Sequence, residues 1–498
     1  MQEYLQLEPV RGMRDHLPTE QEHLSRTRAA LEGVLDAWGY QEIDLPVLER
    51  RDLYLKKVGE DLVGKLYDFT HQGRALALRP EWTASVLRAY LRSLQSEPLP
   101  VRLRYGGPVF RYERPQRATY RQFTQIGVEL IGGAAPRGDA EIIAVACEGL
   151  AVAGVHEWKL ILGHVGVART LLAQLGLPER TASQLLWSIE RLRRGDSTAL
   201  RAQLQASGSE ETPDEGLHLG ALAGLPDEEL AELLATTVRA MGLSLESTSR
   251  PAEAIIERLI RKLRRADPQP RIEQAIASLE RLSQAYGEPE TAFDTAATLL
   301  RELDLPTTAL DELRALVDLV VAQGIEPPRL VIDLGLSRGL HYYSGMIFEI
   351  EGPDGLQLCG GGRYDDLVGA LHPPGARRLD VPAVGLAYGL ERVVAQLAPA
   401  PTSRPASILV AAPDAAFQAA MRVADSLRAR GHRVLLDVRG RSLQANLRDA
   451  ERRGCMALVS VEGAAMEEEV VWHDLSSHGN HAAPRRTSLP DFVQETAV

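Results

Sequence analysis

The chain has 498 residues, of which 45% are hydrophobic, so it is long enough for about three globular domains. Its formal net charge of −12 argues against a protein that coats nucleic acid non-specifically, although a local basic surface could still bind RNA. No apolar run approaches about 18 residues, which predicts no membrane span, and the absence of a signal-peptide pattern predicts a cytoplasmic location. The three cysteines lie far apart, which predicts free thiols, and the spacing of the histidines predicts no structural metal.

The first predicted elements are a helix and a strand. Apolar residues recur at helical spacing from Leu24 to Trp38, and Gly39 ends this helix. The segment 40–48 alternates as a strand and carries Pro46 near its end, which favours an edge or interface position. A helix that leads into such a strand is consistent with dimerisation, and equally with packing against its own domain.

A second strand and helix are predicted within the segment 75–90. The strand ends at Arg79 and Pro80, and the helix begins near Glu81 with Thr83 in its first turn. A carboxylate at a helix entry can face a ligand, although acidic residues are also common in the first turn of a helix. Glu81 is therefore a candidate ligand-binding residue.

The stretch 110–132 is predicted to form two strands joined by a short polar turn, because its side chains alternate with a period of two. The second strand has one apolar face, and Phe123, Gln125 and Glu129 lie on the other. An aromatic ring, an amide and a carboxylate beside Arg111 of the neighbouring strand suit a small zwitterion and a nucleotide. Taken alone, this segment also fits an ordinary half-exposed hairpin.

The middle of the chain changes character. A helix over 139–154 and a strand over 159–163 are followed by residues 167–328, in which strand signals disappear. Helical patterns rich in Leu, Ala, Glu and Arg run almost continuously there, and their mixed charges are typical of solvated helix faces. This pattern predicts a helical domain inserted into an α/β one.

The α/β pattern resumes at Leu330 and contains glycine-rich segments with several arginines. In this acidic chain, arginines that converge without a P-loop lysine could hold a triphosphate. The candidates are Arg79, Arg111, Arg121, Arg338, Arg363 and Arg392.

At this point the residues resemble a known family. Across 9–168 and 329–396 the chain is similar to the core of class II aminoacyl-tRNA synthetases of the histidyl type. Residues 405–498 resemble the small α/β anticodon-binding domain of histidyl synthetases, after a linker rich in Pro and Ala. The implied fold is α+β, with an antiparallel sheet flanked by helices, in a homodimer. The implied domains are 1–168 and 329–397 for the two parts of the core, 169–328 for the helical insertion and 405–498 for the C-terminal domain.

The resemblance is carried by three class motifs and two histidine-recognition segments. The helix and strand that end at Pro46 resemble motif one. The others are FRYE (110–113) through Glu129 for motif two, GLER (389–392) for motif three, and RPEWT (79–83) and RGLHYYSG (338–345) for histidine recognition.

The resemblance also implies roles for individual residues. Histidine would be bound by Glu81, Thr83, Arg111, Gln125, Glu129, Arg338, Tyr342, Tyr343 and Tyr364. If ATP binding is retained, the nucleotide would be held by Arg111, Glu113, Phe123 and Arg392. Arg338 would be catalytic only in a synthetase, and no residue is expected to bind a metal directly.

Family membership leaves two functions open. A histidyl-tRNA synthetase activates histidine with ATP and Mg²⁺ and then charges tRNA. The regulatory subunit of ATP phosphoribosyltransferase, a synthetase paralogue, pairs with the short catalytic subunit in histidine biosynthesis and senses histidine without any required cofactor. A paralogue that modifies another substrate is a third possibility.

Departures from the synthetase pattern favour the regulatory subunit. Synthetases usually have a glycine and then an arginine where this chain has Ala118 and Thr119, and they keep a glycine at Trp82 and an aspartate at His341. The segment 162–177 also resembles the regulatory paralogue. The intact motif arginines and the C-terminal domain point the other way. We predict the regulatory subunit, with histidyl-tRNA synthetase as the alternative.

Overall fold

The chain was analysed as a computed structural model. The structure describes residues 7–55, 64–114, 116–186, 188–193, 198, 200–201, 231, 233, 236, 269–336, 342–372, 380–398, 407–462, 469–475, 484–488 and 491. They belong to two compact units, Met1–Leu397 and Ala398–Val498. No helix in the described part of the chain is both long and apolar enough to cross a membrane. The three cysteines are free and buried, as predicted.

A nine-stranded, mainly antiparallel sheet forms the centre of the first unit, in the order β1-β5-β6-β12-β11-β10-β7-β9-β8. Only two neighbouring pairs in it, β1 with β5 and β7 with β9, are parallel. A small separate sheet has the order β2-β4-β3. The strands are β1 (Gln41–Glu42), β2 (Leu48–Arg50), β3 (Asp68–His71), β4 (Arg74–Leu78), β5 (Val101–Phe110), β6 (Gln122–Ile131), β7 (Lys159–His164), β8 (Tyr286–Gly287), β9 (Leu330–Asp333), β10 (Met346–Glu351), β11 (Gln357–Arg363) and β12 (Ala383–Gly389).

Helices cover the large sheet, which confirms the predicted α+β class. Helices α1 and α4 pack on each other, and α4 also packs on β12. The described helices between residues 169 and 328 contribute apolar side chains to the same core. The helices are α1 (Pro18–Ala37), α2 (Asp52–Leu55), α3 (Thr83–Ala89), α4 (Arg137–Ala153), α5 (Val165–Gln174), α6 (Glu179–Leu186), α7 (Ile189–Arg193), α8 (Gln269–Leu282), α9 (Pro289–Glu302), α10 (Thr308–Ala322), α11 (Asp365–Leu371) and α12 (Leu390–Val394).

The first helix follows its predicted pattern. Leu24, Leu31 and Leu35 are buried on one face of α1, as the helical spacing requires. The chain leaves the helix through Gly39, whose φ of +79° lies in the left-handed region that glycine adopts without a steric penalty. Helix α1 therefore supplies one wall of the core above the sheet.

The prediction of a single strand over 40–48 is wrong. Residues 41–42 form β1, which pairs with β5 of the large sheet, and β2 begins at Leu48 in the small sheet. Pro46, between them, has no N–H to donate to a sheet ladder, so the pairing cannot continue through it. The alternation in this segment therefore spans two short strands in two sheets.

The prediction of a short turn between the motif-two strands is also wrong, because β5 ends at Phe110 and β6 begins only at Gln122. Arg111 thus lies just beyond its strand, although its N–H still donates to Arg121 O at 2.9 Å. The tip of the connection contains Ala118 with a φ of +51°, a conformation that glycine adopts more easily. The connection is a loop whose two ends stay close together.

The two-residue strand β8 lies in the segment for which the sequence predicts only helices. It pairs with β9 at the edge of the large sheet through Tyr286 and Gly287. Two residues are too few to show an alternation in the sequence, which explains why the strand was not predicted.

The second unit is an α/β domain with a five-stranded sheet in the order β14-β13-β15-β16-β17. Strand β13 is parallel to β14 and β15, and β16 and β17 extend the sheet in antiparallel fashion. Four of the strands and both helices match the elements that the sequence pattern predicts, which are strands over 408–411, 434–438, 457–461 and 470–475 and helices over about 414–430 and 441–453. The short polar strand β17 was not predicted. The elements are β13 (Ser407–Ala411), α13 (Phe417–Ala429), β14 (Arg433–Leu436), α14 (Leu443–Arg453), β15 (Ala457–Glu462), β16 (Glu469–Asp474) and β17 (Arg485–Ser488).

A buried ion pair connects the sheet to the helix layer of the first unit. Arg363, at the end of β11, donates from Nη2 and Nε to Asp139 Oδ1 on α4 at 2.6 and 2.9 Å. Its Nη1 donates to Asp365 at 3.0 Å. Both members of the Arg363–Asp139 pair have side chains only 4% exposed. Arg363 and Asp365 flank Tyr364, so the contacts of Arg363 with Asp139 and Asp365 hold the backbone on either side of it.

Replacing Asp139 with Ala should lower the free energy of unfolding by about 3–5 kcal/mol, because the change leaves the Arg363 charge buried without its main partner. Chemical denaturation followed by circular dichroism measures the difference. The matched control is Glu302→Ala, which removes an ion pair with Arg281 in which both side chains are about half exposed. The control should cost less than about 1 kcal/mol. Equal losses in the two variants would contradict the assigned role of the buried pair.

Candidate functional site

A cavity of about 210 Å³ lies among β6, β11, β12 and the start of α3. It brings together residues that are far apart in the sequence. The predicted site residues that line it are Glu81, Thr83, Arg111, Glu113, Phe123, Gln125, Glu129, Tyr342, Tyr343, Tyr364 and Arg392. Arg338 lies outside the described residues. The binding roles given to these side chains stay predictions.

Glu129 lines the cavity and is fully buried. Thr83 Oγ1 donates to Glu129 Oε1 at 2.7 Å, and the Tyr105 hydroxyl donates to the same oxygen at 3.2 Å. The Tyr364 hydroxyl donates to Oε2. A side chain on residue 385 would collide with this carboxylate, since a Cβ there would lie 1.9 Å from Oε2, which is why Gly385 is required. Three hydroxyls therefore hold one carboxylate in one orientation.

The surroundings of Glu129 favour its protonated form. Burial and, to a lesser extent, the nearby charge of Glu81 raise the pKa of Glu129 to about 8, although the hydroxyl donors oppose the shift. Burial also raises the pKa of Tyr105 and Tyr364 well above the ordinary value, so both remain hydrogen-bond donors at neutral pH. A cationic ligand would favour the ionised form of Glu129.

Glu81 is the second buried carboxylate of the cavity, and the strand–helix junction places it there. It precedes α3, and its two oxygens accept from the Ala84 N–H at 3.0 and 3.3 Å. Burial raises the pKa of Glu81, although the Ala84 amide, Thr83 and the charge of Arg111 lower it. The sequence prediction of a carboxylate at this helix entry agrees with its position.

Arginine and aromatic side chains line another part of the cavity. Arg111 Nε donates to Pro80 O at 2.8 Å, and its guanidinium carbon lies 5.5 Å from the centroid of the Phe123 ring, within cation–π range. Glu113 forms an ion pair with Lys65 at 3.2 Å. This region carries both a positive charge and an aromatic face.

Arg392 reaches the same region from α12. Its Nη1 donates to the Gln357 carbonyl at 3.3 Å, and its Nη2 donates to Thr119 Oγ1 at 3.4 Å. Glu391, the preceding residue, accepts from the Thr124 N–H with both oxygens at 2.9 and 3.0 Å. The start of α12 is thereby attached to β6, which sets where Arg392 enters the cavity.

The convergence of six arginines predicted from the sequence is only partly correct. Arg111 and Arg392 line the cavity, whereas three others are bound elsewhere in the first unit. Arg79 donates to two backbone carbonyls at 2.8 Å, and Arg121 donates to two others at 3.1 Å. Arg363 belongs to the buried ion pair described above. An arginine side chain is long enough that its sequence position does not determine its partner.

Several lining residues were missed in the sequence. Tyr105 is the most important of these, because its hydroxyl contacts Glu129. The feature that could have indicated Tyr105 is the pairing of β5 with β6, which places Tyr105 opposite Gly127. The other lining residues that were not predicted individually are Gln357, Leu358, Cys359, Gly360, Gly385, Leu386, Ala387 and Gly389, the last of which lies in the predicted motif three.

The arrangement suits a small ligand that carries opposite charges. Glu81 and Glu129 can accept hydrogen bonds from an ammonium or a ring N–H, and Gln125 adds an amide whose buried Oε1 has no hydrogen-bond partner among the described residues. Arg111 can face an anionic group. The cavity lining therefore combines acceptor groups suited to a cation with an arginine suited to an anion.

The fold and this geometry define a protein of the class II aminoacyl-tRNA synthetase type. The histidyl-tRNA synthetase family model matches residues 12–240 and 230–393, and an anticodon-binding domain matches residues 406–495. The chain belongs to the histidyl-tRNA synthetase family.

Individual relatives carry two kinds of name. The chain is 34% identical to an ATP phosphoribosyltransferase regulatory subunit from Moorella thermoacetica, over 90% of this chain and 97% of that protein. It is 29% identical to a histidine–tRNA ligase from Methanocaldococcus jannaschii, over 92% of each. A solved structure from Bacillus halodurans, titled as an ATP phosphoribosyltransferase regulatory subunit/histidyl-tRNA synthetase, matches with a TM-score of 0.63 and 25% identity, over 92% of this chain and 99% of that one.

The stability of the Glu129→Gln variant relative to the unmodified protein should increase as the pH rises. Unfolded Glu129 loses its proton near pH 4.5, whereas the folded protein retains it until about pH 8. Between these values the folded state binds more protons, so the stability contributed by protonated Glu129 is complete below about pH 4.5 and is lost towards pH 8. Thermal unfolding of both proteins between about pH 5 and 8 measures the difference.

Glu141→Gln provides the control for this titration. Burial alone would raise the pKa of Glu141, but hydrogen bonds from Arg102 and Tyr40 outweigh it and lower the pKa. Its contribution to stability is lost only as the pH falls, so the difference between this variant and the original protein should stay flat over the same range. A flat difference for Glu129→Gln as well would contradict the raised pKa of Glu129.

Proposed function

We propose that this chain is the histidine-sensing regulatory subunit of an ATP phosphoribosyltransferase. The observation that carries the proposal is a difference between two parts of one cavity. The part around Glu129 brings together the carboxylates, hydroxyls and amide that an amino-acid ligand would need, whereas Arg392, which lines the other part, contacts the neutral Thr119 where synthetases usually have an arginine.

Histidine is the amino acid that fits the first part of the cavity. Glu81 and Glu129 offer acceptors for the α-ammonium and for a ring N–H, and Gln125 offers an amide. The tyrosine rings supply flat apolar walls: the centroids of Tyr342 and Tyr364 lie 5.7 Å apart in an edge-to-face arrangement. A sensor needs only this binding step.

The second part of the cavity supports sensing over catalysis. Thr119 accepts from Arg392, so this contact adds no positive charge for a triphosphate or for the end of a tRNA. Losing one electrostatic stabiliser of a transition state costs about 10²–10³-fold in rate. A protein that only binds histidine is not affected by such a loss.

The partner in this proposal is the short-form catalytic subunit of ATP phosphoribosyltransferase. The relative from Moorella thermoacetica is named as a regulatory subunit of that enzyme, and the chain spans nearly all of it. We also propose a homodimer within the assembly and a cytoplasmic location. In this role the chain needs neither a cofactor nor a metal.

The second candidate is a histidine–tRNA ligase, and the anticodon-binding domain at residues 406–495 specifically favours it. In that case ATP would be held by Arg111, Glu113, Phe123 and Arg392, with Mg²⁺ and tRNA as further requirements. Arg338 would then be the catalytic residue. The two candidates share the histidine site and differ in everything that follows binding.

Reconstitution separates the two candidates. The purified chain is mixed with a short catalytic subunit, and phosphoribosyl transfer to ATP is measured with and without histidine. In parallel, the chain alone is assayed for histidine-dependent pyrophosphate exchange and tRNA charging. The proposal predicts activity that histidine inhibits, and no charging. Robust charging of tRNA without any effect on the catalytic subunit would contradict it.

Glu81→Gln should desensitise the reconstituted enzyme to histidine by about 10- to 100-fold, because it removes a charge-assisted hydrogen bond to the ligand. The concentration of histidine that halves the activity measures the change, and the uninhibited activity should be retained. Glu302→Ala, far from the cavity in sequence and exposed, serves as the control and should leave inhibition unchanged. Unchanged inhibition in the Glu81 variant would remove Glu81 from the histidine site.

A further inference from the structure

We propose that Trp82 is a positioning residue, whose indole holds Tyr105 so that the Tyr105 hydroxyl stays on the Glu129 carboxylate. Trp82 is not among the residues that line the cavity, and it occupies a position where the synthetase pattern has a glycine. The inference rests on the proposed role of Glu129 in binding histidine. It assigns a function to a departure from the family pattern.

Trp82 belongs to a compact group with Arg79 and Tyr105, which we term the indole cluster. The Trp82 and Tyr105 rings are stacked, with centroids 4.8 Å apart and planes 12° apart. The guanidinium carbon of Arg79 lies 3.5 Å from the centre of the indole. Trp82 is only 1% exposed, so these contacts are made without competition from water.

The indole cluster is fixed to the surrounding backbone. Arg79 donates from Nε to Pro108 O and from Nη1 to Leu45 O, both at 2.8 Å. Strand β5 leaves room for the indole at Gly107, where a Cβ would lie 3.0 Å from Trp82 Cζ2 and 2.9 Å from Arg79 Nη2. The space beside Gly107 and the fixed position of Arg79 therefore both accommodate a large flat side chain.

The indole acts through its ring rather than its N–H. Trp82 Nε1 is buried and has no hydrogen-bond acceptor among the described residues. A buried donor without a partner costs free energy, so this group does not explain why tryptophan occupies the position. The contacts that remain are those of the ring, which stacks on Tyr105 and lies against the Arg79 guanidinium.

Tyr105 requires such a constraint because its hydroxyl has one proton and two acceptors. Glu129 Oε1 lies at 3.2 Å and Leu386 O lies at 3.4 Å. A small movement of the ring would transfer the hydrogen bond from the carboxylate to the backbone. Glu129 would then lose one of its three donors, and its ionised form would be less favoured.

Four variants test the inference: Trp82→Leu, Trp82→Phe, Tyr105→Phe and the double variant Trp82→Leu/Tyr105→Phe. Two quantities are measured. Calorimetry gives the dissociation constant for histidine. Difference infrared spectroscopy gives the pH midpoint of Glu129 in the ligand-free protein, with the carboxylic band assigned as the one that disappears in Glu129→Gln.

Trp82→Phe keeps a flat ring and should change histidine affinity by less than about twofold. Trp82→Leu and Tyr105→Phe should each weaken binding by about tenfold and raise the Glu129 midpoint, because each removes the same charge-assisted hydrogen bond. The double variant should bind histidine no more weakly than Tyr105→Phe alone, since two changes that act through one contact are not additive.

A purely structural role for Trp82 gives a different result. Trp82→Leu would then lower thermal stability and leave the Glu129 midpoint and the histidine affinity unchanged, or its effect would add fully to that of Tyr105→Phe. Either outcome overturns the inference. If the unmodified protein binds no histidine, the proposed function fails, while the infrared midpoints still decide whether Trp82 positions Tyr105.

Discussion

The structure of the cavity depends on one buried carboxylate. Glu129 lies in the middle of a sheet, without exposure to solvent, where an ionised group is costly unless several donors surround it. Thr83, Tyr105 and Tyr364 supply those donors from three separate segments of the chain. Each segment must be placed accurately for its hydroxyl to lie within hydrogen-bond distance of Glu129. Much of the first unit therefore serves to position these three donors.

The large sheet provides that accuracy. Strands β5, β6, β12 and β11 are neighbours, so side chains from distant parts of the sequence meet on one face. Gly385 removes the side chain that would occupy the place of the Glu129 carboxylate. The Arg363–Asp139 pair fixes the backbone that carries Tyr364. A cavity built on rigid strands is suited to discriminate one amino acid from another, which both a sensor and a ligase require.

Local patterns in the sequence were sufficient to predict side-chain positions that depend only on the neighbouring residues of the same strand or helix. The period of two along β6 correctly placed Phe123, Gln125 and Glu129 on one face, and the strand–helix junction correctly placed Glu81. The sequence did not predict Tyr105, because its position depends on how β5 pairs with β6. It also did not predict the partners of the arginines, since long side chains can reach carbonyls and carboxylates that are remote in the sequence.

The division of the cavity explains why the family relationship alone leaves the function open. Both candidate functions would use the proposed histidine site, whereas the contact between Arg392 and Thr119 belongs to the region where the two functions would differ. Trp82 stacks on Tyr105, whose hydroxyl donates to Glu129, so it lies behind the part of the cavity that both candidate functions would need.

The most direct test is a calorimetric titration of the purified chain with histidine at pH 7, repeated in two buffers with different ionisation enthalpies. We predict that histidine binds and that protons are released, because a pKa of about 8 favours the protonated form of Glu129 before binding and the positive charge of the ligand favours its ionised form. Absence of binding, or binding without proton release, would contradict the central role of Glu129.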